Sequence, residues 1–365
     1  MNFHMPTKLV GGIDCVRTNG HLIAQMGSRC LLVTGASSAR RCGALEDVTA
    51  VLDAHGIAWT VYDRISANPA IASAMEAAQI ARDFGAEFII GIGGGSALDA
   101  AKVTAMSAAN PHLDAEGLFQ KQWTSPRLPV ALVGTTAGTG SEVTAVAVMT
   151  DGAGTKRGIR DAAIYGDLAF GDPKYTYSLP HGVTVSTAVD ALCHCTESYF
   201  NRQANPISKA FALQGIGLLL PVLRHLTQSP ELTEAQRADL YHGSILGGLA
   251  ICVTGTTFPH NVGYYFSERH GIPHGHACAL FLPELMAHVA ACAPKETSAF
   301  FRALGTTAEE LLALIEQLLP TPKLTLTEEM IAEQLPRWNN NASVMNTLGT
   351  ITTDYIHDVL VNKFQ

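Results

Sequence analysis

Short apolar runs alternate with longer amphipathic segments through the first half of the chain. The apolar runs predict buried strands at residues 30–34, 58–62, 87–91 and 129–134. The segments between them predict helices at residues 46–55, 70–84 and 96–108. Strands that alternate with helices of this length form βαβ units. We therefore predict an α/β domain with a parallel, Rossmann-like sheet.

The pattern changes near Leu179, after which strand-like runs disappear. Long segments rich in alanine and leucine follow, interrupted by prolines at positions 221, 230, 283 and 320. Residues 150–180, rich in glycine and aspartate, form the predicted transition. A chain of 365 residues also exceeds the roughly 250–300 residues that one core serves. The predicted domains are residues 1–175, of α/β type, and residues 176–365, all helical.

Composition narrows the class of protein. Hydrophobic residues make up 47% of the chain and charged residues 15%, against about 25% charged in an average soluble protein. This excludes a disordered chain. The net charge is −8 and no run of lysine and arginine occurs, so nucleic acid is not an expected partner. The low charge content indicates subunit contacts, and we expect a homodimer or a larger homo-oligomer.

The longest apolar stretches lie at residues 211–223 and 277–285, and polar residues or prolines interrupt both. Neither reaches the roughly 18 apolar residues of a spanning helix, so no membrane contact is expected. The N-terminal residues lack the charged-then-apolar pattern of a signal peptide. The eight cysteines are scattered without a CxxC pair, which is typical of reduced thiols. We predict a cytoplasmic protein.

Two glycine-rich turns follow predicted strands. Residues 88–102 read FIIGIGGGSALDAAK, and the three glycines at 93–95 would let a backbone approach a pyrophosphate at a helix N-terminus. Ser96 and Asp99 have the spacing of a capping box. The second turn, residues 134–144, reads GTTAGTGSEVT. Either turn alone could be a tight strand–helix connection without a ligand, but together they predict one dinucleotide crevice.

The turn after the first predicted strand, residues 35–41, reads GASSARR. A site specific for NAD commonly has an acidic residue here, against the ribose 2′-hydroxyl. The turn instead has small residues, among them Gly35, Ser37 and Ser38, and two arginines, Arg40 and Arg41. Arginine binds phosphate well, although both side chains could simply be solvated at a helix start. The pattern favours NADP(H) over NAD(H).

A possible metal site lies in the second half. Asp190 and His194 are spaced i,i+4 and would project from one helix face. His260 and His274 are 14 residues apart, with Gly271 and Pro273 breaking the segment between them. One carboxylate and three imidazoles suit Fe(II) or Zn(II). Taken alone, the Asp–His pair is more typical of a surface hydrogen bond.

Neighbouring residues leave alternatives open at this site. A Cys193 thiolate would favour zinc, since it lies beside His194. Glu197, one turn after His194, could orient a ligand. His270 and His276 are further candidates that spacing alone does not rank.

At these motifs the chain resembles the iron-containing (group III) alcohol dehydrogenase family of the dehydroquinate synthase-like superfamily. The motifs that carry the resemblance are residues 93–102 (GGGSALDAAK), 134–144 (GTTAGTGSEVT), 169–197 and 260–275 (HNVGYYFSERHGIPHG). The resemblance covers nearly the whole chain. It implies a dinucleotide-binding α/β domain, a helical metal domain and a catalytic cleft between them.

By motif, the resemblance implies the following site residues. The metal ligands would be Asp190, His194, His260 and His274. The pyrophosphate loop would comprise Gly93, Gly94, Gly95, Ser96 and Asp99. The loop on the nicotinamide side would comprise Thr135, Thr136, Thr139 and Ser141, with Lys156 as a further cofactor-side residue.

One position departs from the family pattern. Many members have a second histidine four residues after the third ligand, where it is proposed to relay a proton. This chain has Tyr264 there. A phenol, with a reference pKa near 10, is a poor base at pH 7 but can donate a proton. His270, or water and the ribose, are the alternative relays, so His270 and Tyr264 are the candidate catalytic residues.

The resulting hypothesis is a metal-dependent NAD(P)H oxidoreductase. It would interconvert a small aldehyde and its primary alcohol, with the carbonyl oxygen bound to Fe(II), or to zinc. One alternative is a reductase for a small anionic aldehyde of the sulfo- or phosphonoacetaldehyde type, which needs a cation such as Arg269 or Lys156. A dehydroquinate synthase-type lyase would need several cations near the metal. Residues 186–200 and 258–276 contain only Arg269.

Overall fold

The computed structural model describes residues 3–365. Its residues group into two compact units. The α/β unit comprises His4–Pro180 and Thr233–Tyr241, and the helical unit comprises Phe3, His181–Leu232 and His242–Gln365. This arrangement confirms the predicted fold class, a parallel sheet in the N-terminal part and helices in the C-terminal part.

Eight strands occur within residues 3–365. They are β1 (Lys8–Gly11), β2 (Arg29–Thr34), β3 (Ala58–Tyr62), β4 (Phe88–Gly93), β5 (Val130–Gly134), β6 (Val146–Thr150), β7 (Lys156–Arg160) and β8 (Leu168–Gly171). Six of them form a parallel sheet in the order β1-β8-β5-β4-β2-β3. The four predicted strands are β2 to β5. The apolar runs of β2, β4 and β5 reflect burial on both faces of the sheet, whereas β3 lies at the sheet edge and is partly exposed.

The transition predicted at residues 150–180 is more structured than expected. β6 and β7 form an antiparallel hairpin, with Thr150 opposite Lys156. Asp151 closes its turn by accepting hydrogen bonds from the backbone N–H groups of Ala153 and Thr155. The short strand β8 follows. The sequence pattern missed these strands because β6 is only partly buried, β7 is largely polar and β8 has four residues.

The strand order places the turn after β2 beside the glycine-rich turn that ends β4. The chain leaves β2 towards β3 at one edge, then returns to β4 on the other side of β2, and continues outward through β5 and β8. The order therefore reverses between β2 and β4. Open α/β sheets bind ligands at the carboxyl ends of the strands at such a reversal. The turn that begins at Gly35 follows β2, and the turn at Gly93 ends β4.

Helices and short 3₁₀ turns connect these strands. The helices are α1 (Cys15–Thr18), α2 (Gly20–Ala24), α3 (Ser38–Arg41), α4 (Ala44–Ala54), α5 (Ile71–Phe84), α6 (Gly95–Ala109) and α7 (Ala115–Phe119). The 3₁₀ turns are Ser141–Val143, Ala162–Ile164 and Pro173–Thr176. Helices predicted at 46–55, 70–84 and 96–108 correspond to α4, α5 and α6.

The predicted capping box at the start of α6 is wrong. Gly94 is the N-cap residue, and no side chain caps this end of the helix. Asp99 instead accepts hydrogen bonds from the Ser141 hydroxyl (2.5 Å) and the Val148 N–H (2.8 Å). The Asp99 carboxylate therefore binds residues that are distant in the sequence rather than capping its own helix.

The C-terminal part of the chain is helical. Its helices are α8 (His181–Tyr199), α9 (Pro206–Leu226), α10 (Glu234–Thr254), α11 (Phe258–Arg269), α12 (His274–Ala279), α13 (Leu282–Cys292), α14 (Pro294–Leu304), α15 (Ala308–Leu318), α16 (Glu328–Trp338), α17 (Ala342–Met345) and α18 (Thr353–Phe364). α8 is the central helix, since nearly every residue from Thr184 to Tyr199 is buried. α9 begins at a capping box formed by Asn205 and Ser208.

Two segments of the described chain pass a test for spanning helices based on length and mean hydropathy. They are Pro206–Leu226, with a mean hydropathy of 1.5, and His274–Cys292, with 1.2. About half of each window is buried inside the protein, 44% and 56% respectively. Core helices of globular proteins have the same properties, and both segments pack within the helical unit.

Candidate metal centre and coenzyme-binding turns

The two glycine-rich turns lie against each other in the α/β unit. The N–H of Thr135 donates to the carbonyl of Gly93 at 2.9 Å. A Cβ on Gly94 would lie 3.0 Å from Thr136, and a Cβ on Gly95 would lie 2.6 Å from Thr139. Larger residues would therefore push the turns apart. Residues that the sequence assigned to one crevice are neighbours in the structure.

A buried lysine, Lys102, ties the second turn to α6. It is fully buried, and its ammonium group donates to the Ser141 carbonyl (2.7 Å), the Val146 carbonyl (2.8 Å) and the Thr144 carbonyl (3.1 Å). Asp99 lies 3.7 Å from the same ammonium group. Burial raises the pKa of Asp99, and Lys102 and Ser141 oppose that rise. Sequence reasoning missed this role, although Lys102 is the one charged residue among the small residues of α6 after Asp99.

Ser141 and Asp99 therefore have a visible structural role inside the protein. Both were predicted to bind the cofactor, and that assignment stays a prediction, as do those of Ser96 and Lys156. Lys156 begins β7 and is half-buried.

The turn after β2 has the composition expected for a phosphate contact. Gly35 and Ser38 are half-buried and Ser37 is exposed, and Arg40 and Arg41 are exposed on α3. Asp63 is the first acidic residue after β3, the strand that lies one position further from β4 than β2 does. The strand beside the glycine turn thus ends without a carboxylate.

Three helices of the helical unit bring the predicted metal ligands together. Asp190 and His194 lie on α8, His260 on α11 and His274 on α12. Asp190 Oδ1 is 3.4 Å from Nε2 of His260, 3.7 Å from Nε2 of His274 and 3.9 Å from Nε2 of His194. The rings of His194 and His260 stack with centroids 4.6 Å apart. The i,i+4 pair Asp190–His194 therefore faces the interior rather than the surface.

Glycines allow these helices to approach so closely. A Cβ on Gly275 would lie 1.9 Å from the carbonyl oxygen of Ser186 and 2.9 Å from Cβ of Asp190. A Cβ on Gly263 would lie 2.9 Å from the backbone of Ala277. Gly275 thus lets α12 lie directly on α8, and Gly263 lets α11 lie on α12.

Two polar atoms at the centre of the cluster lack hydrogen bonds. They are Oδ1 of Asp190 and Nε2 of His260, on side chains that are 2% and 1% exposed. Leaving such groups unpaired in the interior costs about 1–3 kcal/mol each. A divalent cation would satisfy both, and a carboxylate with imidazoles is a suitable donor set for it. The residues present therefore fit a metal ion.

Glu197 fixes the orientation of the His260 ring. One carboxylate oxygen is hydrogen-bonded to Nδ1 of His260. The other accepts from the N–H (2.7 Å) and the hydroxyl (2.9 Å) of Thr257. Metal-binding histidines commonly have such a carboxylate on the ring nitrogen that does not bind the metal. Nε2 is thereby directed towards Asp190.

Neighbouring charges in the cluster shift the pKa values of Asp190 and His260. Burial alone would raise the pKa of Asp190, but the neighbouring imidazoles, His194 most strongly, lower it well below its usual range. Burial alone would lower the pKa of His260, but Cys278 and the carboxylates of Glu197 and Asp190 raise it well above its usual range. The site therefore favours negative charge on Asp190 and positive charge beside it, which a cation can supply.

The structure adds a thiol to this centre that sequence reasoning missed. Atoms of Asp190, His260, His274 and Cys278 all lie within 4.8 Å of one another. Cys193, the cysteine that the sequence singled out, is not a member of that group within the described chain. The signal was present, since His274 and Cys278 are spaced i,i+4. The sequence pattern did not predict this helix, because it has only six residues and follows the helix-breaking Gly-Ile-Pro segment.

The two candidate catalytic residues lie in different surroundings. The Tyr264 ring stacks on the His274 ring, with centroids 5.5 Å apart. His270 packs instead against Tyr265 and Phe266, with centroids 5.3 and 5.8 Å away, and burial lowers its pKa. The structure thus brings Tyr264 to the metal cluster, whereas the ring contacts of His270 are with the aromatic residues beside it.

Comparison with known proteins assigns the family. Residues 6–173 match the family model described as iron-containing alcohol dehydrogenase, and residues 184–338 match the model of its C-terminal part. Long-chain-alcohol dehydrogenase 1 of Geobacillus thermodenitrificans is 32% identical over 286 residues, which cover 78% of this chain and 72% of that protein. The chain belongs to the iron-containing alcohol dehydrogenase family, whose members are oxidoreductases.

Solved structures agree with this assignment. An iron-containing alcohol dehydrogenase of Thermotoga maritima superposes with a TM-score of 0.92 at 32% identity, covering 100% of this chain and 99% of that one. A sulfoacetaldehyde reductase of Bifidobacterium kashiwanohense, crystallised with NAD⁺, superposes with a TM-score of 0.87 at 26% identity, covering 99% and 98%. The family implies iron and a nicotinamide coenzyme.

Proposed function

We propose that this chain is a metal-dependent NAD(P)H oxidoreductase that interconverts a small aldehyde and its primary alcohol. In the direction of reduction, the aldehyde gains a hydride from the coenzyme and a proton, giving the alcohol and oxidised coenzyme. One observation carries the proposal above the others. Asp190 and His260 direct buried, unpaired polar atoms at each other across 3.4 Å, among further imidazoles.

Asp190, His194, His260 and His274 would hold the metal ion, iron by family membership. A bound divalent ion supplies Lewis acidity towards a carbonyl oxygen. The chain's own contribution is to keep the ligand atoms in place. Glu197 holds the His260 ring in one orientation, and Gly275 sets the spacing between α8 and α12.

Tyr264 is the proposed proton donor for aldehyde reduction. Its ring lies parallel to that of His274, at an interplanar angle of 22°. A phenol is protonated at neutral pH and can therefore give up a proton to a developing alkoxide. His270 was an equal candidate in the sequence, but its aromatic surroundings favour a packing role.

We propose NADPH as the preferred coenzyme. The support is the turn after β2, which contains no carboxylate and in which Arg40 and Arg41 are exposed. This turn lies next to β4, the strand that ends at Gly93. A 2′-phosphate suits that surface better than a 2′-hydroxyl. The NAD⁺ bound by the Bifidobacterium relative is the reason to measure both coenzymes. Replacing Ala36 with aspartate should reduce the kcat/KM ratio for NADPH over NADH at least about tenfold.

The substrate class that the site favours is a small uncharged aldehyde. An anionic aldehyde needs a cation, and the only one in the metal-proximal segments is Arg269. Arg269 follows His260 by nine residues, which places it on the opposite face of α11, and it is exposed. The sulfoacetaldehyde reductase among the relatives keeps an anionic aldehyde as the second candidate.

A turnover assay tests this function. Protein stripped of metal and reloaded with Fe(II) is mixed with NADPH or NADH and a panel of neutral and anionic aldehydes, and loss of reduced coenzyme is followed. We expect loss equal to the aldehyde consumed, faster with neutral aldehydes. Equal or faster turnover of sulfoacetaldehyde would favour the second candidate. Absence of turnover with every aldehyde would contradict the oxidoreductase.

The chain is also proposed to form a homo-oligomer and to act in the cytoplasm. β1 is an edge strand that pairs only with β8 in the described sheet, and its Leu9 is 37% exposed. Such an edge can pair with a second copy of the chain. Replacing Leu9 with proline removes an N–H on that edge and should shift the size measured by light scattering towards the monomer. An unchanged size would exclude this edge as the interface.

A further inference from the structure

Cys278 lies one helical turn after His274 on α12, and its side chain is fully buried. Its Sγ is 3.6 Å from Nδ1 and 3.9 Å from Nε2 of His274. One atom from each of Asp190, His260, His274 and Cys278 falls within 4.8 Å of the others. Thus a sulfur atom belongs to the cluster of predicted ligands in addition to oxygen and nitrogen.

The spacing of the oxygen and nitrogen atoms in this cluster matches a small metal ion. Zinc binds nitrogen and oxygen at about 2.0–2.2 Å and sulfur at about 2.3 Å, which separates tetrahedral ligand atoms by roughly 3.3–3.7 Å. Two distances to Asp190 Oδ1 are 3.4 Å, from His260, and 3.7 Å, from His274. The third, between sulfur and Nε2 of His274, is 3.9 Å. Because Sγ is nearly equidistant from the two ring nitrogens of His274, the Cys278 side chain must rotate towards Nε2 for sulfur and nitrogen to share one ion.

The unpaired atoms give independent support. Oδ1 of Asp190 and Nε2 of His260 are buried and lack hydrogen bonds, and their side chains belong to the same cluster as the sulfur. A thiolate is a softer ligand than imidazole and selects zinc or cobalt over iron when both can bind. Cys278 and His194 are thus alternative fourth ligands for a core made of Asp190, His260 and His274.

We propose that Cys278 is a metal ligand, so that Asp190, His260, His274 and Cys278 hold zinc or cobalt(II) in a four-coordinate site. The proposal rests on the metal centre of the proposed function, with which it shares three residues. Four protein ligands leave no open position on zinc, as in structural sites. Zinc bound in this way would therefore compete with iron and produce a form with little activity.

Cobalt(II) reports on sulfur ligation directly, because thiolate-bound cobalt has an intense charge-transfer absorption in the near ultraviolet. The full-length chain is dialysed against a chelator and titrated with cobalt(II) alone. We expect the charge-transfer band together with the visible bands of tetrahedral cobalt. In Cys278→Ala the visible bands should remain and the charge-transfer band should vanish, and zinc affinity should fall at least about tenfold.

Cys193→Ala is the matched control, since Cys193 is equally buried, belongs to α8 beside His194 and lies outside the cluster. It should keep the charge-transfer band. X-ray absorption of the zinc-loaded native chain provides a second test that needs no variant, and it should show one sulfur at about 2.3 Å.

The possible failures are distinguishable. Cobalt bound with visible bands but no charge-transfer band, or zinc without a sulfur neighbour, would overturn the role of Cys278 and leave the metal centre intact. Loss of the band in Cys193→Ala but not in Cys278→Ala would also overturn it. No binding of cobalt or zinc at all would contradict the metal centre on which the proposed function rests.

Discussion

Glu197 and His260 form a buried carboxylate–imidazole pair through Nδ1 of the histidine, which leaves Nε2 directed at Asp190. Both side chains are almost fully buried, at 0% and 1% exposure. Glu197 belongs to α8 and His260 to α11, so the pair also joins two of the three helices that form the cluster. One carboxylate thus sets the direction of a ligand and the position of its helix.

Replacing Glu197 with glutamine should weaken metal binding. Glutamine keeps the shape but removes the charge that holds the imidazole, and loss of such a partner typically reduces metal affinity 10- to 100-fold. Competition with a chromophoric chelator measures the change. Glu268→Gln is the control, because Glu268 is also a buried carboxylate but pairs with Arg337 at 2.6 Å. If both variants lost affinity equally, Glu197 would have no specific role.

Gly275 is predicted to be irreplaceable. A Cβ there would lie 1.9 Å from the backbone oxygen of Ser186, so Gly275→Ala must force α12 away from α8. We expect a loss of about 3 kcal/mol in the free energy of unfolding, together with a loss of metal binding. Gly217→Ala is the matched control on α9, since its Cβ would contact nothing within 4 Å. It should gain up to about 1 kcal/mol from helix propensity. A stable, metal-binding Gly275→Ala protein would contradict the described packing.

Lys102→Met should destabilise the second glycine-rich turn, residues 134–144, because Lys102 holds its backbone carbonyls. The ammonium group satisfies several carbonyls of residues 141–146, and methionine would leave them unpaired in the interior. We expect a loss of about 3 kcal/mol in the free energy of unfolding and a higher Kd for NADPH. Urea unfolding and fluorescence titration measure the two effects. Lys8→Met, at an exposed lysine, should change neither. An unaltered Kd in a folded Lys102→Met protein would separate the lysine from coenzyme binding.

Tyr264→Phe should slow aldehyde reduction and leave the metal in place. The ring would still stack on His274, but the proton donor would be missing. We expect kcat to fall roughly 10- to 100-fold with little change in KM. His270→Phe serves as the comparison, because its ring contacts are with Tyr265 and Phe266, and its kcat should stay within about threefold of the native value. The opposite order of effects would assign the proton to His270.

Sequence patterns predicted the parts of this fold that are buried on both faces. Strands β2, β4 and β5 have apolar runs because they lie inside the sheet and are buried, whereas β3, at the edge opposite β1, is partly exposed and was predicted from its run AWTVY. The exposed edge strand β1 has no such run, and its pairing with β8 spans more than 150 residues. Distant pairing leaves no local signature, so β1 could not be predicted.

The candidate site also contains residues that the sequence predicted and residues that it did not. Spacing along one helix predicted that Asp190 and His194 share a face, and the turn residues between His260 and His274 suggested that these two imidazoles meet; the motif resemblance then implied all four as ligands. The role of Asp99 was predicted wrongly as a cap, because its partners Ser141 and Val148 are more than 40 residues away. Cys278 was missed because α12 is too short to show periodicity. Contacts between distant segments therefore decided the role of Asp99, whereas the length of one helix decided the case of Cys278.

The most direct test of the central claim is the fate of the hydride. Iron-loaded protein is given coenzyme deuterated at the transferable position of the nicotinamide, with a neutral aldehyde, and the product is analysed by mass spectrometry. The account predicts one deuterium on the alcohol carbon for each coenzyme oxidised, and none in the sample stripped of metal. Recovery of unchanged coenzyme, or alcohol without deuterium, would contradict a metal-dependent oxidoreductase.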